Sequence, residues 1–272
     1  MSEHVIYCWT GSGNSLVDAR TIAAALGDAE IRPLQGMVPP DTKTIGFIYP
    51  TYYMAAPDAV LAFIRSAELP KEAYYYAVAT CGSTAVYTMS DMYALLRENG
   101  VSLSYYAKHK HMGNYIVAYD PYSNPGGRAR EAAESIKPIV KDIIARKILP
   151  SPRRGLPSVL QKMFRCIMSY GSGGGFFDKG YRVSDTCISC GLCAKVCPAE
   201  NIIIKNGTPV FQHRCEHCMA CIHFCPKEAI NYKNKTQKRK RYHHPEASSN
   251  DLVRLLTGNG KSSVRKEMNY EK

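Results

Sequence analysis

Over the first 150 residues, short apolar runs alternate with stretches whose apolar positions recur at helical spacing. This rhythm predicts parallel strands joined by helices, packed on both faces of one sheet. A first strand fits His4 to Trp9, followed by a Gly/Ser-rich turn and a helix beginning near Asn14. In that helix Leu16, Ala19, Ala23 and Leu26 share a face, and Gly27 is placed to end it. Further strands are predicted at Glu30 to Leu34, Thr44 to Tyr49, Tyr74 to Thr80 and Val101 to Lys108. The third of the five is apolar enough to be covered on both faces. Pro57 suits the first turn of a helix with Val60, Phe63 and Ile64 on one side. A helix from about Ala85 to Glu98 buries Tyr87, Met92, Leu95 and Leu96 and stops at Gly100. After a loop from Asp120 to Gly127, a last helical stretch runs to about Lys147, broken at Pro138.

Five strands in this order predict an α/β doubly wound domain, flavodoxin-like by strand count. From Leu149 the texture changes. Prolines at 150, 152 and 157 precede a short amphipathic stretch, Ser158 to Tyr170, and then a flexible Gly171 to Gly175 joint. After Tyr232 the chain is polar and charged, and is expected to be loosely ordered apart from a short helix around Asp251 to Leu256. The predicted layout is a domain over 1–150, a linker over 151–180, a cysteine-rich module over 181–232 and a basic tail over 233–272.

Eight of the eleven cysteines fall between Cys187 and Cys225. The run Cys187, Cys190, Cys193, Cys197-Pro198 recurs 28 residues later as Cys215, Cys218, Cys221, Cys225-Pro226. Disulfide scaffolds are short and cysteine-dense throughout, and zinc modules pair CxxC knuckles without a third Cys and a Cys-Pro. The repeat therefore predicts a small α+β module of the bacterial ferredoxin type with two [4Fe–4S] clusters. In such modules the fourth Cys of each run ligates the other cluster. Cys187, Cys190, Cys193 and Cys225 are then expected to hold one cluster, and Cys215, Cys218, Cys221 and Cys197 the second. Cys8 and Cys166 read as small packed apolar residues. His213, His217 and His223, in or beside the second run, read as surface histidines around the cluster loop.

Thr10-Gly11-Ser12-Gly13-Asn14-Ser15 links the first strand to the first helix. Three hydroxyls and the free N–H groups of a helix start make a pocket for a phosphate dianion. The turn lacks the Lys of a nucleotide-hydrolysing loop and the spacing of a dinucleotide fingerprint. Pro50-Thr51-Tyr52-Tyr53 follows the third strand and Thr80-Cys81-Gly82-Ser83 the fourth. Ligands of open parallel sheets bind beyond the strand carboxyl ends, so the three loops are expected to share one crevice suited to FMN.

CWTGSGNS, PTYYMAAP and TCGS, joined to the eight-cysteine repeat, resemble the flavodoxin–ferredoxin fusion ("ferrodoxin") proteins of anaerobes over about residues 4 to 232. The resemblance implies that Thr10, Ser12, Gly13, Asn14 and Ser15 hold an FMN phosphate, with Tyr52, Cys81 and Gly82 at the flavin ring. Ser12 stands where flavodoxins usually have Thr, and Trp9 where the fusion proteins usually have Phe.

The net charge of +12 is unlike that of most flavodoxins, which are acidic. Part of it lies in the run from Lys233 to Arg241. Without an aromatic platform beyond Tyr242, this run argues against nucleic acid and for an acidic redox protein partner or a peripheral membrane surface. No stretch has signal-peptide or membrane-spanning character, so a cytoplasmic protein is expected. The implied function is electron transfer between FMN, two [4Fe–4S] clusters and a partner, with the glycine joint letting the cluster module swing. A flavin-dependent reductase of a small acceptor, or a ferredoxin whose flavin-free first domain only docks, are the alternatives.

Overall fold

In the computed structural model, residues 2–83, 88–121, 124–152, 163 and 177–258 are described. Five strands, β1 (His4–Cys8), β2 (Ala29–Arg32), β3 (Thr44–Pro50), β4 (Tyr74–Cys81) and β5 (Leu103–Lys110), form one parallel sheet in the order β2-β1-β3-β4-β5. This is the flavodoxin-like order, whose switch point lies between β1 and β3. The central strands are buried on both faces because they are apolar on both: Ile45, Phe47 and Ile48 on β3 are wholly covered. Gly46 has no Cβ for a physical reason. A Cβ there would lie 2.3 Å from Cζ of Tyr76, whose ring lies across β3.

Helices α2 (Asp58–Ser66) and α3 (Thr88–Glu98) cover one face with Val60, Phe63, Ile64, Met92, Leu95 and Leu96. Helix α1 (Asn14–Leu26) covers the other with Leu16, Ala19 and Ile22. The last predicted helix is two helices, α4 (Pro125–Ser135) and α5 (Lys137–Ile144), because Pro138 cannot continue the ladder of the turn before it. The joint at 171–175, Tyr87 and Cys166 lie outside the described residues.

The cysteine-rich module pairs β6 (Tyr181–Val183) with β9 (Ile230–Tyr232), and β7 (Ile202–Lys205) with β8 (Thr208–Phe211), both antiparallel. Two one-turn helices, α6 (Leu192–Lys195) and α7 (Ala220–His223), follow the two cysteine loops. The backbone repeats the 28-residue offset. Ser189, Gly191 and Glu200 have positive φ, and so do His217, Met219 and Glu228 at the matching places.

The chain after Tyr232 departs from the loosely ordered tail expected of it. Arg239 donates to the carbonyl of Ile116 at 2.6 Å, and Tyr242, His244 and Ala247 are buried. Helix α8 (Ser249–Thr257) begins with a capping box formed by Ser248 and Asp251 and buries Leu252 and Leu255 beside α1. Two leucines three residues apart give this segment an apolar stripe, which the charge of its surroundings obscures in the sequence.

Candidate functional site

The eight cysteines line two separate cavities. One is bounded by Cys187, Cys190, Cys193 and Cys225, with Ile188, Ile204 and Pro209 at its walls. The other is bounded by Cys197, Cys215, Cys218 and Cys221, with Tyr181, Phe211 and Met219. Each cavity thus takes three cysteines from one run and the fourth from the other. The positive-φ residues between the cysteines curl each loop so that its sulfurs converge. Backbone N–H groups of Asn201 and Ala229 point at the sulfurs of Cys197 and Cys225, each at 3.3 Å. His217 N–H does the same for Cys215 at 3.3 Å.

The two cavities differ in surroundings. Cys190 is exposed, and Ile188 and Ile204 stand open beside it. Cys218 and Cys221 are buried. Burial pushes their thiols well up, and takes Cys215 to about 12, so bare thiolates are disfavoured there. Iron bound to those sulfurs would supply the compensating positive charge.

The buried cavity lies against the carboxyl end of the sheet. A Cβ on Gly11 would sit 2.5 Å from the carbonyl oxygen of Cys218 and 2.9 Å from the hydroxyl of Tyr52. Only glycine lets the first loop approach the cysteine loop this closely. Tyr53 joins the same boundary: its hydroxyl lies 2.6 Å from Nδ1 of His217, and its ring stacks on Phe177 at 5.5 Å. Glu216 accepts hydrogen bonds from the N–H groups of Asp58 (3.3 Å) and Ala59 (2.8 Å). It therefore caps α2, whose own N-cap, Pro57, has no side chain able to do so.

His217 and His223 are not surface histidines, as their polarity suggested. They are 2% and 4% exposed. Burial, helped by Lys233, lowers His217 to about 3. His223 donates from Nε2 to the carbonyl of Asn114 (2.8 Å) and accepts at Nδ1 from the N–H of Tyr242 (3.1 Å). That pairing needs the neutral ring, and burial takes its pKa to about 4. His213 alone matches the expectation, with its side chain 56% exposed and bonded to Asp178. No local pattern marks a histidine for burial at a contact between two distant segments.

The loops after β1, β3 and β4 meet at the carboxyl end of the sheet. Ser15 and Thr80 share a hydroxyl hydrogen bond of 2.8 Å. Pro50 and Thr80 are register partners at the ends of β3 and β4, and the N–H of Thr51 bonds Thr80. Cys81 ends β4; a Cβ on Gly82 would lie 2.9 Å from Cα of Gly113, and Ser83 follows exposed. In the first loop Thr10, Ser12, Gly13, Asn14 and Ser15 are all buried, and the Thr10 hydroxyl accepts from the N–H of Gly13 at 3.0 Å.

The first helical hydrogen bond of this region runs from Val17 to Gly13. The N–H groups of Gly11, Ser12, Asn14, Ser15 and Leu16 therefore have no hydrogen-bond partner among the described residues. Buried, unbonded N–H groups at a helix start, with hydroxyls of Thr10 and Ser12 beside them, form an anion nest. The donor set fits a phosphate dianion. The hydroxyl of Thr51, also buried without a partner among the described residues, lies on the neighbouring loop.

One turn into α1, the Asp18 carboxylate accepts from Nδ1 of His109 (2.7 Å) and Nε2 of His111 (2.9 Å). Burial alone would raise this carboxyl, but the hydrogen bonds from His109 and His111, together with the charge interactions of the two rings, hold the pKa below its ordinary value. This triad was not read from the sequence. The His109-x-His111 spacing, at the end of β5 and one residue beyond it, is its trace in the sequence.

Residues 186–230 match the protein family described as a 4Fe-4S dicluster domain. No curated protein matches the chain. Among solved structures, it is similar to the Trp repressor binding protein of Bacillus subtilis, at 18% identity over 39% of this chain and 82% of that one, with a TM-score of 0.31. It is also similar to the flavodoxin of Megasphaera elsdenii, at 16% identity over 39% and 83%, with a TM-score of 0.30. A third likeness is to rubredoxin oxygen:oxidoreductase from Desulfovibrio gigas, at 13% identity over 53% and 37%, with a TM-score of 0.30. By its strand order and its dicluster match, the chain joins a flavodoxin-like domain to a 4Fe–4S domain.

Proposed function

We propose that this chain is an electron-transfer iron–sulfur flavoprotein that moves electrons between FMN, two [4Fe–4S] clusters and a redox partner. The observation that carries the reading is the packing of one four-cysteine cavity against the loops at the switch point. Cofactors held on either side of that boundary would be close enough to exchange electrons without the module moving.

Thr10, Ser12 and Ser15 would hold the phosphate with the nest N–H groups. Tyr52, Cys81 and Gly82 would lie beside the ring. FMN accepts electrons singly or in pairs, and each cluster carries one at a time, so the combination converts between the two. The residues of the chain do the rest: the buried set excludes water from the inner cysteines, and the exposed set offers an exit near Cys190. The basic run supports an acidic redox protein as partner. No helix among the described residues is long and apolar enough to cross a membrane. The free cysteines suit a reducing compartment such as the cytoplasm.

Cofactor content of protein purified without oxygen tests the reading. About eight irons and one FMN per chain are expected for two cubane clusters and one flavin. Protein with no flavin after incubation with FMN would refute the flavin part, and fewer than about four irons would refute both cluster sites.

A further inference from the structure

The loop that forms the phosphate nest is packed against a segment more than 220 positions away. The N–H of His244 donates to the carbonyl of Ser12 at 2.8 Å. The Tyr242 hydroxyl donates to Oδ1 of Asn14 at 2.8 Å, while Nδ2 of Asn14 donates to the carbonyl of Met112 at 3.3 Å. Gly13, at φ 93°, faces Ala247 so closely that a Cβ would lie 2.4 Å from the Ala247 Cβ. Three consecutive nest residues are thus each held by the same short segment. Its contacts fall on a carbonyl, a side-chain oxygen and a Cα, and they leave the nest N–H groups unbonded.

Both ends of the segment are anchored. At its start the N–H of Tyr242 bonds His223, and His243 stacks on Phe224 with ring centroids 4.9 Å apart. At its end Arg20 on α1 bonds the carbonyl of Glu246 (3.3 Å) and the carboxylate of Asp251 (2.5 Å). The Arg20–Asp251 pair is partly exposed, so it is the weak anchor. The buried Leu252 and Leu255 hold the helix that follows.

We propose that Tyr242 to Ala247 form a latch on the nest, so that a phosphate-bearing ligand enters and leaves only when this segment lifts. The proposal rests on the flavin reading and deepens it by assigning the control of cofactor exchange. A closed latch, with Ala247 packed on Gly13, would favour a ligand whose phosphate is a terminal monoester over one whose chain continues past it. FMN is then retained in preference to its adenylylated dinucleotide.

The test compares the full chain with its Ala247→Leu variant, in which the added bulk cannot fit against Gly13. A second variant ends at Arg241, and a control ends at Gly258. Iron content confirms that each retains its cluster module. Flavin release is followed by the recovery of FMN fluorescence on dilution, and FAD uptake is measured in parallel. Release at least about tenfold faster from both latch variants than from the full chain and control is expected, as affinity changes within one site act mainly through the off-rate. FAD uptake confined to the latch variants supports the same conclusion. Equal release rates, with flavin bound in all forms, would overturn the latch and leave the flavin reading standing. Should no form take up FMN, inorganic phosphate replaces it, with exchange read by phosphorus NMR. Latch-dependent exchange then sinks the flavin reading alone, and absence of phosphate binding sinks both.

Discussion

The hydroxyl of Tyr53 lies 2.6 Å from Nδ1 of His217, and that contact links the loop after β3 to the loop of the inner cysteine set. Burial, which lowers His217 to about 3, keeps the ring neutral at neutral pH, and in the tautomer protonated at Nε2 the Nδ1 atom accepts from the Tyr53 hydroxyl. Tyr53→Phe removes the donor and leaves a buried acceptor short of one partner, while Tyr115 remains at 3.2 Å. A loss of about 1 kcal/mol is expected. Urea unfolding of the cluster-loaded protein without oxygen measures it, and an unchanged midpoint would show the contact to be idle.

Glu216 caps α2 from the other module. Glu216→Ala should cost about 1 kcal/mol and raise amide exchange at Asp58 and Ala59, whose N–H groups lose their acceptor. Glu216→Gln keeps an oxygen in place but loses the charge at the helix N-terminus, and should fall between the two. Protection of both amides in the alanine variant would be evidence against the cap.

The crossed cysteine sets make an asymmetric prediction. Cys225 lines the exposed cavity although it belongs to the second run, and Cys197 lines the buried one although it belongs to the first. Cys225→Ser should therefore impair the exposed cluster and leave the inner one, with about four irons retained. Cys197→Ser should impair the inner cluster, which packs against the sheet, and so loosen the contact between modules as well. Electron paramagnetic resonance with iron counts distinguishes the cases. Loss of the same cluster in both variants would contradict the crossing.

Acid should release the latch before it unfolds the sheet. Burial, then repulsion from His111, lowers His244 from 6.5 to about 4. A base with a depressed folded value binds its proton first in the unlatched state. Stability of the latch is then full above about 6.5 and falls as the pH drops toward 4. Asp18 has its folded pKa below 3.8, so the stability it contributes is present above that value and is lost only on further acidification. Hydrogen exchange at residues 242–257 should rise between pH 6.5 and 4 while α1 stays protected. Simultaneous loss of both would argue against a separate latch.

The parts legible in the sequence are those encoded locally. The apolar runs of β1, β3 and β4 mark the sheet, and the spacing from Cys187 to Cys225 marks the cysteine sets, because each depends on neighbours a few residues away. The burial of His217 and His223, the cap from Glu216 and the covering of Gly13 by Ala247 join residues more than 100 positions apart. Periodicity carries no signal for such pairs. Ser248 with Asp251 and the two leucines after it do mark a helix start, and that was the readable hint that the last segment packs rather than trails.

A chain made from its N-terminus exposes Ser12, Gly13 and Asn14 to solvent long before Tyr242 and Ala247 exist. The nest is therefore uncovered through most of synthesis and closes among the last events of folding. If the latch gates entry, loading would be easier before Tyr242 to Ala247 are made than after they have packed. Chains produced where flavin is scarce would mature with their door already shut.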